Sequence, residues 1–159
     1  SGDEDMTRDE SMMPSIAVAE MKGTLGGMSA EGANALFTRF LSDVSKDCGK
    51  EGAMMIGHNK ANFKCGDDLL SISCTTEDGN VRTKFSFGSP VTEYSGVINV
   101  IVYGLDFPIL KRIIESRVSE IPGCTAKVLE EGGCDDPECE DPNCNDPNHR
   151  RRPITIEGL

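Results

Sequence analysis

The sequence predicts an α+β domain in which two helices pack on one face of a mostly antiparallel sheet. Apolar side chains recur at helical spacing in two segments, and they alternate with period two in the segments around them. The 159 residues are enough for one domain with a core and flanking segments. We expect a disordered acidic N-terminal segment over residues 1–13, the α+β domain over 14–131, and a Cys/Asp-Pro repeat tail over 132–159.

The first part of the domain predicts a strand followed by a helix. Ser15–Met21 alternates, with Ile16 and Val18 on one face, and three glycines between residues 23 and 27 end the strand. Ser29 can cap a helix, and Gly49 is a natural end for it. The predicted buried stripe of this helix is Ala33, Leu36, Phe37, Phe40, Leu41 and Val44.

The middle of the chain predicts an antiparallel meander with one solvated face. The apolar phase changes at Gly57, which indicates a bulge there. Gly66-Asp67 and the segment 77–80 are typical turns, and Arg82, Lys84 and Ser86 are expected to face outward. The predicted inward positions are Met54, Ile56, Ala61, Phe63, Cys65, Leu70, Ile72, Cys74, Val81, Thr83, Phe85 and Phe87.

The last part of the domain predicts a central strand, a second helix and a short final strand. Val97–Tyr103 is nearly all apolar, so we expect it to be buried on both faces. Asp106 can cap the helix, Pro108 is tolerated in its first turn, and Thr125–Leu129 forms the last strand. This order resembles the ferredoxin-like plan with an extra hairpin. The expected buried stripe of the second helix is Phe107, Leu110, Ile113, Ile114, Val118 and Ile121.

A five-residue unit repeats in the C-terminal segment 134–149, CDDPECEDPNCNDPNH. It puts cysteine at Cys134, Cys139 and Cys144, and His149 takes the cysteine position at the fourth repeat. Four tetrahedral ligands must lie within about 4 Å of one another, whereas five extended residues span about 16 Å. The chain must therefore turn once per unit, and Asp-Pro in each repeat supplies a turn because proline fixes its φ angle.

This pattern predicts a metal site with the ligands Cys134, Cys139, Cys144 and His149. Three sulfurs and one imidazole favour zinc, and iron or copper are less favoured choices. The surrounding carboxylates raise the local concentration of cations. Three other interpretations stay open, namely a solvated low-complexity repeat, disulfide or redox pairing within the tail, and calcium binding by the acids alone.

Charge and cysteine content limit the classes of partner and the compartment. The net charge is −11, so we expect no nucleic-acid partner unless a local basic patch exists, and Arg150–Arg152 is a small basic run. No apolar run is long enough to span a membrane, and the acidic start of the chain lacks the apolar run of a secretory signal. Seven cysteines leave one unpaired in any full disulfide framework, which indicates a reducing, cytoplasmic environment.

The domain itself carries no recognisable catalytic constellation, and we lean against an enzyme. His58 is the one histidine of the domain, and Cys65 and Cys74 are interpreted as small buried thiols rather than as a second site. We therefore expect a metal-binding accessory or assembly protein, with metal delivery as a special case. It would act with a protein partner or by self-association. The segment that contains Ile154 and Ile156 can add a strand to the edge of a sheet. The alternatives are a metal-independent interaction domain that oligomerises through its sheet and has a disordered acidic tail, and an enzyme with an unrecognised site.

Overall fold

Two helices cover one face of an antiparallel sheet in the computed structural model, which describes residues 13–131. Within these residues the sheet has six strands in the order β4-β3-β2-β5-β1-β6, which confirms the predicted fold class. The elements are β1 (Ser15–Met28), α1 (Ala30–Lys50), β2 (Met55–Cys65), β3 (Asp68–Cys74), β4 (Val81–Phe85), β5 (Val91–Tyr103), α2 (Phe107–Val118) and β6 (Thr125–Glu131).

The topology is the ferredoxin-like plan with one added hairpin. Without β3 and β4 the chain runs strand, helix, strand, strand, helix, strand, and the strand order is β2-β5-β1-β6. Every neighbouring pair in this order is antiparallel. The hairpin of β3 and β4 extends the sheet beyond β2 and leaves β4 and β6 as its two edges.

Helix α1 forms where its cap and its apolar stripe predict it. The Ser29 side chain accepts a hydrogen bond of 3.0 Å from the Gly32 amide, which satisfies one free donor of the first turn. Phe37 is fully buried under the helix, and its ring stacks on Phe63 of β2 with centroids 4.0 Å apart. Tyr94 of β5 meets Phe37 edge to face at 5.0 Å. These aromatic contacts join α1 to the two middle strands.

The central position of β5 is confirmed, but its burial on both faces is wrong. Ile98, Val100 and Val102 are fully buried under the helices. The residues that alternate with them, such as Val97 and Ile101, are only half-buried. Both helices lie on the same side of the sheet, so no second layer covers the other side within the described residues. We call that uncovered side the open face.

The predicted inward register is also wrong at the ends of the meander. Thr83 is exposed, Phe85 is 51% exposed, and Val81 is half-buried, whereas Phe87 is buried as predicted. The physical reason is that β4 is an edge strand, and its pairing with β3 is irregular between Ser71 and Ile72. Met54 is 60% exposed because it precedes β2, and Cys65 and Leu36 are half-buried rather than buried.

Several element ends differ from the sequence-based expectation. β1 continues through the glycines to Met28, because Gly26 and Gly27 adopt positive φ angles of 63° and 90° where its pairing with β5 shifts register. Asp106 occupies the N-cap of α2 but makes no side-chain cap hydrogen bond. The final strand extends to Glu131 and therefore leads directly into the tail.

The predicted bulge at Gly57 is confirmed and is held by a buried asparagine. The pairing of β2 with β5 shifts between Ile56 and His58. Asn59 is fully buried, and its side-chain oxygen accepts a hydrogen bond of 3.0 Å from the Ile101 amide. Its side-chain nitrogen donates to the Ser45 hydroxyl of α1 at 3.0 Å. The bulge thereby turns His58 outward and ties the sheet to the helix.

Replacing Asn59 with alanine is expected to lower the free energy of unfolding by about 2–4 kcal/mol, because the Ile101 amide loses its partner and a cavity remains. Urea unfolding measures the change. The control is Asn62→Ala, since Asn62 lies on the same strand but lines the open face. The control is expected to stay within about 0.5 kcal/mol of the parent. Equal losses in both variants would contradict this role for Asn59.

Candidate functional site

The four predicted metal ligands, Cys134, Cys139, Cys144 and His149, lie outside the described residues 13–131. The expected N-terminal segment and almost all of the expected tail lie outside them as well. The segment that carries the ligands follows β6, which is an edge strand whose last residue, Glu131, pairs with Ile16 of β1. The metal site stays a prediction.

The cysteines of the domain do not gather into a site. Cys48, Cys65, Cys74 and Cys124 are free thiols, and no group of three or more histidine, cysteine or acidic residues within the described part of the chain is arranged to hold a metal. Burial, with smaller contributions from Asp47 and Cys74, raises the pKa of Cys48 to about 12. A thiol with such a pKa stays protonated, so Cys48 is a core residue rather than a ligand.

His58 does not join the cysteines. Its side chain is exposed on the open face, whereas Cys74 is buried on the helix side of the sheet and its thiol donates to the Thr76 carbonyl at 3.1 Å. Cys65 is half-buried at the end of β2, with its sulfur 3.8 Å from the Thr92 hydroxyl. The geometry therefore separates the three residues that a second site would need.

Cys124 has a polar neighbour but no catalytic setting. The Tyr94 hydroxyl is buried next to it and has no hydrogen-bond partner in good geometry among the described residues. Burial first, and Cys124 second, raise the pKa of Tyr94 above its usual range. Burial also raises the pKa of Cys124, although Tyr94 partly opposes this effect. Both groups are therefore neutral at physiological pH, and neither is activated as a nucleophile.

The charged residues of the helix layer pair with one another. Arg117 of α2 makes two hydrogen bonds to the carboxylate of Asp47 on α1, at 2.7 and 3.0 Å, and it also contacts Glu120 at 3.1 Å. These carboxylates, Asp47 foremost, raise the pKa of Arg117 further above its usual range. Lys111 pairs with Glu115 on the exposed side of α2. The helix side is therefore close to locally neutral.

The open face, unlike the helix side, carries mainly cationic side chains. A cleft of about 690 Å³ lies there, with Leu69 and Val97 as half-buried apolar lining. Lys22, Lys64 and Lys127 stand around it on three different strands and are exposed. In the strand register, Ser95 of β5 pairs with Lys22 on one side and with Lys64 on the other. The two lysines are therefore about 10 Å apart across the sheet.

A second, smaller cleft continues the same surface toward β4. It has a volume of about 290 Å³, and Lys60, Arg82, Lys84 and His58 line it. Glu20 is the single carboxylate among the described residues that line the two clefts. We call this surface the cationic face and define it by six side chains: Lys22, Lys60, Lys64, Arg82, Lys84 and Lys127.

The cations of this face form no ion pair within residues 13–131, although Glu20 lies directly opposite Lys127 in the strand register. Every ion pair given by the structure within residues 13–131 involves Lys111, Arg112 or Arg117, and all three are on α2. Lys84 contacts the ring of Phe85, at 5.4 Å from its centroid. Glu20 of β1 and Glu93 of β5 are described carboxylates on this side of the sheet, so the cations outnumber the acids there.

Sequence reasoning missed the cationic face as a functional surface. The outward direction of Arg82 and Lys84 was predicted, but Lys22 and Lys127 lie more than 100 positions apart in the chain and meet only through strand pairing. The available signal was a row of polar side chains at alternate positions of β2, namely Lys60, Asn62 and Lys64.

A comparison with protein-family models finds no match to this chain, and a comparison with curated proteins finds none either. Within residues 13–131, neither helix is long and apolar enough to cross a membrane.

The thiols of the domain should differ in reactivity according to burial. At pH 8, a pKa of about 12 leaves Cys48 with a thiolate fraction about a thousand-fold below that of free cysteine. We expect iodoacetamide to modify Cys48 only after denaturation, whereas half-buried Cys65 reacts in the folded protein. Peptide mass mapping reads out each site. Equal rates at both residues in the folded protein would contradict the assignment of Cys48 to the core.

Proposed function

We propose that this chain is a metal-binding accessory or assembly protein whose C-terminal segment is ordered by zinc. The ligands are Cys134, Cys139, Cys144 and His149. The observation that carries the proposal is the strict five-residue register of the four ligands, with an Asp-Pro pair between each ligand and the next. Ligands and turns alternate, which is the arrangement that a wrapped tetrahedral site requires.

The chemistry of the donors supports zinc as the ion. Three thiolates and one neutral imidazole around a divalent ion leave a net charge of −1, which is ordinary for a closed structural site. The neighbouring carboxylates, such as Asp135 and Glu140, are available to orient the ligands. A segment without a core of its own gains its folding energy from the metal, so loss of the ion would remove its order.

The character of the domain supports an accessory role rather than catalysis. Its described thiols are dispersed, and the one we find most strongly perturbed, Cys48, is protonated and buried. Its charged groups on the helix side are engaged in ion pairs. The domain offers an open sheet surface, which suits binding, and the metal segment follows its edge strand β6.

A second candidate function is a metal-independent interaction domain, and the cationic face favours it. Six positive side chains, against Glu20 in the larger cleft and Glu93 beside it, attract an anionic partner. The same charges oppose self-association of two copies face to face, because like charges would be juxtaposed. An interaction through this face therefore calls for an acidic partner and not for a second copy of the face.

The zinc proposal predicts one bound ion per chain and its loss when Cys139 and Cys144 are replaced by serine. Native mass spectrometry of full-length protein purified without chelator measures the mass of the ion. Cobalt exchange would give the absorption of a tetrahedral thiolate site in the parent and not in the variant. Binding should also weaken as the pH falls, because protons compete for the sulfur and imidazole ligands.

The matched control is the serine double variant of Cys65 and Cys124, which removes two thiols of the domain instead. It should keep the ion and the cobalt spectrum. Protein that stays metal-free after zinc is offered, with all seven thiols alkylated at once under mild denaturation, would rule the proposal out.

A further inference from the structure

The cationic face carries an excess of positive charge. Its six cations span strands β6 to β4, a width of about 24 Å for six strands. Like charges about 10 Å apart repel only weakly in salt solution, so the fold tolerates them. Their sum nevertheless creates a surface that concentrates polyanions.

The chemistry of this face favours an acidic polypeptide over single-stranded nucleic acid. Nucleic-acid surfaces built on open sheets combine basic residues with aromatic rings on which bases stack. The central residues of the open face are Val18 and Glu20 on β1, and Val97 and Asn99 on β5. None of these four is aromatic, and the exposed ring of this face, Phe85, stands at the edge strand β4 beside Lys84. The lining of the larger cleft is aliphatic, with lysine ammonium groups around it, which suits carboxylate side chains on a flexible chain.

The chain carries such a polypeptide directly after its edge strand. Residues 135–146 contain six carboxylates and no basic residue, and β6 ends at Glu131. The aspartate of each Asp-Pro pair, at Asp136, Asp141 and Asp146, recurs every five residues.

In its extended, metal-free form the segment is long enough to reach every cation of the face. Five, ten and fifteen residues after Glu131 reach at most about 16, 33 and 50 Å. Lys22 is level with Thr125, about 20 Å back along the strands from Glu131, and Lys64 lies at the same level about 14 Å from β6 across the sheet, so the second and third repeats can reach them. A tether of this length gives an effective concentration on the order of millimolar, which a free acidic ligand must exceed to compete.

We propose that the acidic segment 135–146 docks on the cationic face of its own chain and covers it against other polyanions. Docking uses the carboxylates of the segment, whereas the proposed zinc site uses its thiols and imidazole. The proposal therefore goes beyond the metal site and does not depend on it. The covered face becomes available to an acidic partner only when that partner outcompetes the segment.

Lysine acetylation of the full-length protein, followed by peptide mass mapping, tests the docking. The key variant replaces Asp136, Asp141 and Asp146 with asparagine. It removes three charges but keeps the side-chain geometry for the turns and all four metal ligands. We expect acetylation of Lys22, Lys64 and Lys127 to become about five-fold faster, as it also should for the parent in high salt.

The matched control removes three exposed carboxylates elsewhere, with Glu31, Glu77 and Glu115 changed to glutamine. It makes the same change in net charge and should leave the lysine rates of the cationic face unaltered. Lys50, exposed at the end of α1, is the internal reference in every sample. Equal changes in both variants would show a global charge effect and overturn the proposal.

Other occupants give different results, and each would overturn the proposal. A different result is that acetylation rates stay unchanged when the tail aspartates are replaced and rise when Asp3, Glu4 and Asp5 are replaced by their amides. That result would assign the face to the N-terminal segment. Equal protection of these lysines by an oligouridylate in the parent and in the asparagine variant would show that the tail does not cover the face, and would assign it to nucleic acid. The serine variant of Cys139 and Cys144 keeps the protection, so failure of the zinc site and failure of docking are read separately.

Discussion

The burial of Phe37 against Phe63 and Tyr94 is the contact on which the rest of the domain depends. It joins α1 to β2 and β5 with ring centroids 4.0 and 5.0 Å apart. Once α1 lies on this side of the sheet, the alternation of side chains along each strand decides which of them are buried and which face solvent. Helix α2 packs on the same side beside it. The open face is a direct consequence of this one-sided layering.

The same layering separates the charges of the domain. Arg117, Asp47 and Glu120 find one another because they lie on or next to the two packed helices. Within residues 13–131, the lysines on the other side of the sheet have no second layer from which an acid could reach them. Strand pairing brings Lys22 and Lys64 to either side of Ser95, and no nearby carboxylate except Glu20 lines the cleft. A fold with helices on both faces would not have produced this surface.

The two proposals divide the tail between two kinds of chemistry. Soft sulfur and imidazole ligands recur every five residues for a metal, and carboxylates between them are suited to lysines. The two sets occupy different positions, so one segment can contain both. Because the tail follows the edge strand β6, both proposed functions would be tethered to that edge of the sheet.

Local chemistry made most of the fold predictable. The Ser29 cap, the stripe around Phe37 and the bulge at Gly57 each follow from a few neighbouring residues, and the structure has all three. The predicted burial was wrong where it depends on how residues distant in the chain are arranged around the strand. Phe85 alternates like a core residue yet is exposed, because its strand is at the edge of the sheet.

The candidate sites divide in the same way between local and long-range information. The metal ligands are a pattern within sixteen consecutive residues, so spacing alone can propose them. The cationic face assembles residues from four strands, and its lysines acquire a common role only when antiparallel pairing brings them to one side. Hydrogen-bond register and helix placement are long-range properties. For that reason the amino-acid order could specify the elements and the ligand repeat, while the charged surface emerged only from the folded sheet.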